Sequence, residues 1–266
     1  MRLRKIYDNW YTQTYIQLEI VKFLKERELA IFETFDNTKS VRNIKAHKLK
    51  DFHYWLMRYN FFERYYNVYY SLASFENGLP NFSPKPEERK KQTLEWNNNC
   101  HKYFQSYDLL LDIDAKSHEE MPIIHKQAKS LKTLFDKNKI SYTLNFSGMG
   151  FHFILPYHTL SKNHNFIPAD KGSIFAFAGK VMDKIKEKYV KNLDITVNDH
   201  RRVVKVPYSL AIYKPEDVYV CFPLSDDEFE NFELDKMKPE YIIKHKKISF
   251  RGSLMRDGDG KIEEII

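Results

Sequence analysis

The stretch Asp108-Leu109-Leu110-Leu111-Asp112-Ile113-Asp114 constrains this chain more than any other. An apolar run leads into two acids set two positions apart. A β-strand alternates its side chains between faces, so Leu110, Asp112 and Asp114 share one face and Leu109, Leu111 and Ile113 the other. A short apolar run without Pro or Gly suits a strand buried on both faces. Neighbouring carboxylates repel unless a cation lies between them. The stretch is therefore either a strand that ends in solvated acids or one that offers ligands to Mg²⁺ or Mn²⁺, hard cations that prefer carboxylate oxygen.

At 266 residues, 42% hydrophobic and 15% aromatic, the chain is expected to pack as a globule rather than remain disordered. No apolar run approaches the ~18–20 residues of a membrane span, and Met1 to Lys5 leads into no apolar signal core. The expected setting is the cell interior, cytoplasmic or beside the chromosome, with no membrane partner. A net charge of +7 suggests a polyanion such as nucleic acid or a nucleotide. Cys100 and Cys221 lie far apart and form no Cys-x₂₋₄-Cys pair, so no zinc site is expected and both read as reduced thiols.

Along the chain, residues 1–60 read as mainly helical, with a strand at Glu28 to Phe32 and a basic helix from Lys48 to Tyr59. Arg64 to Ser74 has strand composition and ends in the turn chemistry of Glu76 to Pro80. Phe82 to Lys91 reads as a loop, followed by a charged helix from Glu95 to Phe104. After the acidic strand comes a helix from about Glu119 to Lys137, with Ile124, Ala128, Leu131 and Phe135 on one stripe. Strands at Ile140–Phe146 and Phe151–Leu155 flank the turn Ser147-Gly148-Met149-Gly150. A second amphipathic helix from about Gly172 to Val190 precedes strand-like runs at Leu193–Val197, Arg202–Tyr213 and Val218–Phe222. The order β-α-β-β-α-β is that of a ferredoxin-like or RNA-recognition-motif sheet. The fold class is thus α+β, with three expected parts: an N-terminal α/β module over 1–107, a metal-binding module over 108–225 and an extension over 226–266. Asp226 to Glu233 reads as a loop or helix, Lys244 to Lys247 as plain basic surface, and Asp257-Gly258-Asp259-Gly260 as a hairpin turn rather than a calcium loop.

Two further segments are expected to join the acids on one sheet. In Ser147-Gly148-Met149-Gly150-Phe151-His152 the glycines let backbone N–H groups approach a phosphate, to which Ser147 and His152 can donate. Alone, those glycines could equally serve only a hairpin, and His152 could be a core histidine. In Leu193-Asp194 through Ser209-Leu210, acids precede a strand carrying Arg202 and Lys205. Three carboxylates with Ser, His, Arg and Lys suit two metal ions and a triphosphate. Two ions ~3.5–4 Å apart activate an attacking hydroxyl and stabilise the leaving pyrophosphate.

Together these motifs resemble those of the archaeo-eukaryotic primase superfamily, particularly the small catalytic subunit of replicative DNA primase. That family shows a hydrophobic strand with Asp-x-Asp, a Ser-Gly-x-Gly-x-His turn, and an acid followed by a basic-x-Pro-x-Ser segment. Arg27-Glu28-Leu29-Ala30-Ile31-Phe32, Val41-Arg42-Asn43 and Val68 to Ala73 are similar to its N-terminal stretches, so the resemblance spans about residues 26 to 210. It implies a primase-polymerase fold in which Asp112, Asp114 and Asp194 bind two Mg²⁺ or Mn²⁺ ions, with Asp199 a rival for the third position. It implies that Ser147, Gly148, His152, Arg202 and Lys205 hold the nucleotide, with Glu28 and Arg42 in support. The chain departs from the family in lacking the Cys/His zinc knob, in Met149 where many members have Arg, and in Ala211 where many have His.

The resemblance further implies template-directed synthesis of short primers on single-stranded DNA from NTPs or dNTPs, beside a primase large subunit. The alternatives are a primase-polymerase or end-joining repair polymerase using dNTPs, and a non-catalytic RNA-recognition-type module stacking bases on Phe151 or Phe153.

Overall fold

The computed structural model describes residues 2–36, 39–75, 78–160, 171–248 and 252–265. In chain order the elements begin with helices α1 (Arg2–Tyr11) and α2 (Thr14–Phe23), strands β1 (Arg27–Glu33) and β2 (Ser40–Ile44), α3 (Leu49–Arg58) and β3 (Tyr66–Phe75). There follow α4 (Pro86–Asn99), β4 (Phe104–Tyr107), β5 (Leu109–Asp114), α5 (Met121–Lys137), β6 (Thr143–Phe146), β7 (Gly150–Leu155) and α6 (Lys171–Lys188). The last elements are β8 (Val203–Lys205), β9 (Leu210–Lys214), β10 (Asp217–Val220), β11 (Phe222–Pro223), α7 (Asp226–Glu230) and α8 (Pro239–His245). The architecture is mixed α+β with antiparallel sheets.

Two sheets matter for function. The acidic sheet has the order β11-β6-β7-β5. Its outer edge is extended by one bridge, Ile113 opposite Leu193. The other sheet has the order β2-β1-β3-β4, with β8 also pairing with β3. The ten-residue β3 pairs with β1 along one edge and divides the other between β4 near Ala73 to Phe75 and β8 at Tyr69 to Ser71. Residues 203–205, expected with the acids, thus complete the sheet of the N-terminal segment.

The alternation in β5 places Leu109, Leu111 and Ile113 in the core, at 2% exposure or less. Helix α5 covers that face with Ile124, Ala128, Leu131 and Phe135, all buried. Phe151 and Phe153 of β7 are fully buried, and Phe153 packs with Phe135 and Tyr142. They are therefore closed to base stacking, and the RNA-recognition-type use of these rings does not survive.

Several expectations are corrected. Leu193–Val197 is not a strand: after the single bridge, Asp194 caps a 3₁₀ turn over Ile195–Val197. Arg202–Tyr213 is two strands, because Pro207 cannot donate a ladder hydrogen bond and Tyr208 takes φ 69°. That unfavourable backbone is held in place: Tyr208 N–H donates to the Cys221 carbonyl at 2.6 Å, and Trp10 Nε1 donates to the Tyr208 carbonyl at 2.9 Å. The helix placed at Glu95–Phe104 begins instead at Pro86, whose missing N–H is harmless in a first turn, with Glu87 and Glu88 favourably placed beside it. The segment around Asp257–Gly260 makes no local hairpin; Arg256 and Gly260 bridge to Tyr142 and Ile140. The turn expected over Glu76–Pro80 lies partly outside the described residues. Cys100 and Cys221 are both buried and are not joined in a disulfide.

Candidate functional site

The polar face of the acidic sheet meets β8 across a cleft of about 170 Å³. One wall carries Asp112, Asp114, Ser147 and His152, and the other Arg202 and Lys205. Asp112, Asp114, the turn and the bases therefore meet, but across two sheets rather than on one, and neither Asp194 nor Asp199 lines this cleft. Asp112 lies opposite His152 in the β5–β7 register, and Asp114 opposite Gly150. Cross-strand pairs on one face are close neighbours, so this register brings the two side chains together. His152 Nε2 is 3.4 Å from Asp112 Oδ1, an ion-pair distance. It falls short of a formed hydrogen bond, and Asp112 Oδ1 has none among the described residues. His152 Nδ1 and Arg202 Nε are buried and likewise without hydrogen bonds. Asn145, opposite His152 on β6, extends this underpaired row through its Oδ1.

The two acids ionise unequally. Burial raises the Asp112 carboxyl, but His152, Arg202 and Lys205 outweigh it and hold it below the usual carboxylate range. Asp114 sits at the exposed end of β5, yet burial of its carboxyl and the charge of Asp112 push it up to about 6. Ser147 Oγ reaches Asp114 Oδ1 at 3.4 Å. On the opposite wall, burial works against the Lys205 ammonium, but Tyr213 holds it protonated. Lys205 Nζ donates to the Tyr213 hydroxyl at 2.8 Å.

The glycine turn is shaped by close approach. Gly148 has φ +109°, and a Cβ there would come within 2.6 Å of Ala211 Cβ and 2.8 Å of the Tyr213 ring. Position 211 thus backs onto the turn, and Tyr213 fills space beside it. Tyr69 and Tyr213 also line the cleft, although sequence reasoning did not single them out. Their signal was present only as alternation in β3 and β9; Asn145 was similarly hidden in the strand read over Ile140–Phe146.

Asp194 is brought close through its backbone, its N–H donating to the Asp112 carbonyl at 2.9 Å. The Ile113–Leu193 bridge sets it opposite Asp112 on the same face. Its Oδ1, however, accepts from Thr196 N–H at 2.8 Å and from the Thr196 hydroxyl at 2.7 Å. Among the described residues no three Asp, Glu, His or Cys side chains form a group that could hold a metal ion. Asp199 lies elsewhere, lining an adjacent cleft of about 360 Å³ with Arg42 and Arg201. The two clefts share Tyr69, Arg202 and Val203. Glu28 and Arg42 do not reach the acidic cleft. Glu28 is buried and accepts from Arg42 at 2.6 and 3.1 Å and from Asn43 N–H at 2.7 Å. Arg42 also donates to the Arg201 carbonyl at 2.9 Å, so the pair braces the segment leading to Arg202.

No family model matches the sequence, and no curated protein matches it. Among the described residues no helix is long and apolar enough to cross a membrane.

Proposed function

We propose that the chain is a template-directed nucleotidyltransferase of the primase-polymerase kind, making primers on single-stranded DNA from nucleoside triphosphates. One observation carries the reading: two acids and a histidine face an arginine and a lysine across one small cleft, with polar atoms left unsatisfied on both walls. A folded chain satisfies most of its buried polar groups, and an unpaired set facing one cleft is accounted for by a ligand that completes it. The element order β5-α5-β6-β7-α6, with Leu193 returning to β5 through one bridge, supports the reading, since an RNA-recognition-type sheet runs β-α-β-β-α-β.

The donor set fits a divalent cation. Asp112 Oδ1 lacks a hydrogen bond, and Asp114 is raised by its neighbour's charge, a repulsion that a cation would relieve. Asp112 and Asp114 would hold the ion, and Asp194 would join them on leaving Thr196. Bound Mg²⁺ or Mn²⁺ would supply an activated 3′-hydroxyl and charge neutralisation at the departing pyrophosphate. Lys205 and Arg202 neutralise phosphate charge from the opposite wall. Ser147 and the Gly148 turn present donors to phosphate oxygen, and His152 orients Asp112. Tyr213 keeps Lys205 extended over the cleft. A primase large subunit remains a candidate partner on the same reading.

The test is incorporation of labelled NTPs and dNTPs on unprimed and primed single-stranded DNA with Mn²⁺. The expected result is metal-dependent extension by the native chain and none by Asp112→Ala. A native chain that incorporates neither sugar, or an Asp112→Ala variant that extends at the native rate, would overturn the assignment.

A further inference from the structure

Helix α4 buries none of its residues, yet carries Trp96 and leads directly to Tyr103, which is 56% exposed. Between α4 and the chain at 78–82 lies a groove of about 610 Å³. Trp96 and Tyr103 stack within it, ring centroids 5.3 Å apart at 19°, and Phe82 stands edge-on to Trp96. Amides line the same groove at Asn81 and Gln92, and Lys102 stands at its side. Aromatic faces, amide donors and acceptors, and a cation together match a nucleobase on a charged backbone rather than a purely apolar partner. Between residues 85 and 102 the chain carries five Lys or Arg against three Glu, so the surroundings favour a polyanion.

One ring contact leads from the edge of the groove toward the candidate active site. His101, next to Lys102, lies edge-on to His200 with ring centroids 6.0 Å apart. The neighbours of His200, Asp199 and Arg201, line the cleft that shares Arg202 with the acidic one.

We infer that the groove between α4 and residues 78–82 binds single-stranded nucleic acid, with a base stacked on the outer face of Tyr103, which Trp96 backs, and the backbone beside Lys102. The inference rests on the proposed function only in taking that strand to be the template. Stacking tolerates any sequence because every base has a ring face, so the groove serves a strand whose sequence is copied elsewhere.

The test uses fluorescence anisotropy of a labelled oligo-dT of about 12 nucleotides with the full chain at low salt. Tyr103→Ala, at an exposed position, is expected to weaken binding by about tenfold. Glu95→Gln removes an acid from the groove lining and is expected to tighten binding by roughly twofold or more, a gain that a damaged fold could not produce. Native-like affinity in both variants, or no binding by the native chain, would overturn the inference and leave the groove to another occupant. Asp112→Ala separates the two readings, since it should lose transfer while keeping the strand. Shifts at Tyr103 and Glu95 in a chain that transfers nothing would sink the catalytic reading alone. Transfer that persists with both variants binding as native would sink the groove alone.

Discussion

Glu28 and Asp112 are both buried acids on strands, and they meet opposite fates. Glu28 has a bidentate arginine and a backbone N–H. Asp112 has a histidine at ion-pair distance, an oxygen without a hydrogen bond, and cations only across a cleft. Burying a charge is costly unless it is paired, so full pairing marks Glu28 as a brace. Underpairing marks Asp112 as a group kept ready for something that arrives. The difference separates two acids that the resemblance placed in one site.

The largest effect expected from this contrast is on chemistry. Asp112→Ala should reduce nucleotide incorporation by about a thousandfold or more, the scale of losing one preorganised charge from a reacting centre. Urea unfolding should meanwhile show only a modest loss, because the favourable charge of Asp112 beside His152, Arg202 and Lys205 goes, but so does a repulsive neighbour of Asp114. Glu28→Ala should do the reverse in the same assay. Stranding the Arg42 guanidinium is expected to cost about 3 kcal/mol. If Asp112→Ala proved the more damaging to stability, the contrast would be broken.

A smaller loss is expected at the turn. Gly148→Ala forces a side chain into a left-handed conformation against Ala211 and Tyr213, costing about 1–3 kcal/mol. Incorporation should fall along with it, and a melting curve beside an extension assay would register both.

Titration sharpens the comparison further. Asp114, pushed up to about 6, keeps a proton in the folded chain that the unfolded chain releases near pH ~4. In chelator, stability should therefore decline as pH rises between those values. Asp112→Asn should return Asp114 toward the ordinary range, visible in carboxyl carbon NMR, and flatten that decline. Asp226 should act with the opposite sign and least effect. Burial raises its carboxyl, but Arg256 and Lys132 hold it below the usual range. Its contribution should disappear as pH falls through that depressed value, and Asp226→Asn should make the acid limb of the stability curve slightly shallower.

Much of the acidic sheet was readable in the residues. The alternation in Leu109–Asp114 assigned its two faces correctly, and the stripe Ile124, Ala128, Leu131 and Phe135 identified the covering side of α5. Both are local periodicities that the backbone imposes wherever the element forms. The signal failed where geometry interrupted a pattern. Tyr208 breaks an apparently continuous strand, and the Asp194 carboxylate turns to its own Thr196. Neither is visible in the periodicity, because a bulky residue with positive φ and a capping acid both depend on contacts far along the chain or on the exact end of a turn.

Sequence alone determined which faces are polar, which residues carry charge, and that acids, a glycine turn and bases follow one another in that order. Only the tertiary structure decided that the bases reach the acids from a different sheet, through β8 on β3. It also decided that Glu28 and Arg42 satisfy each other, with Arg42 bracing the Arg201 carbonyl beside the adjacent cleft. The reason is that periodicity specifies a side chain's face on its own element. Which two faces then look at each other is set by long-range strand pairing and by the burial of Phe151, Phe153 and their neighbours.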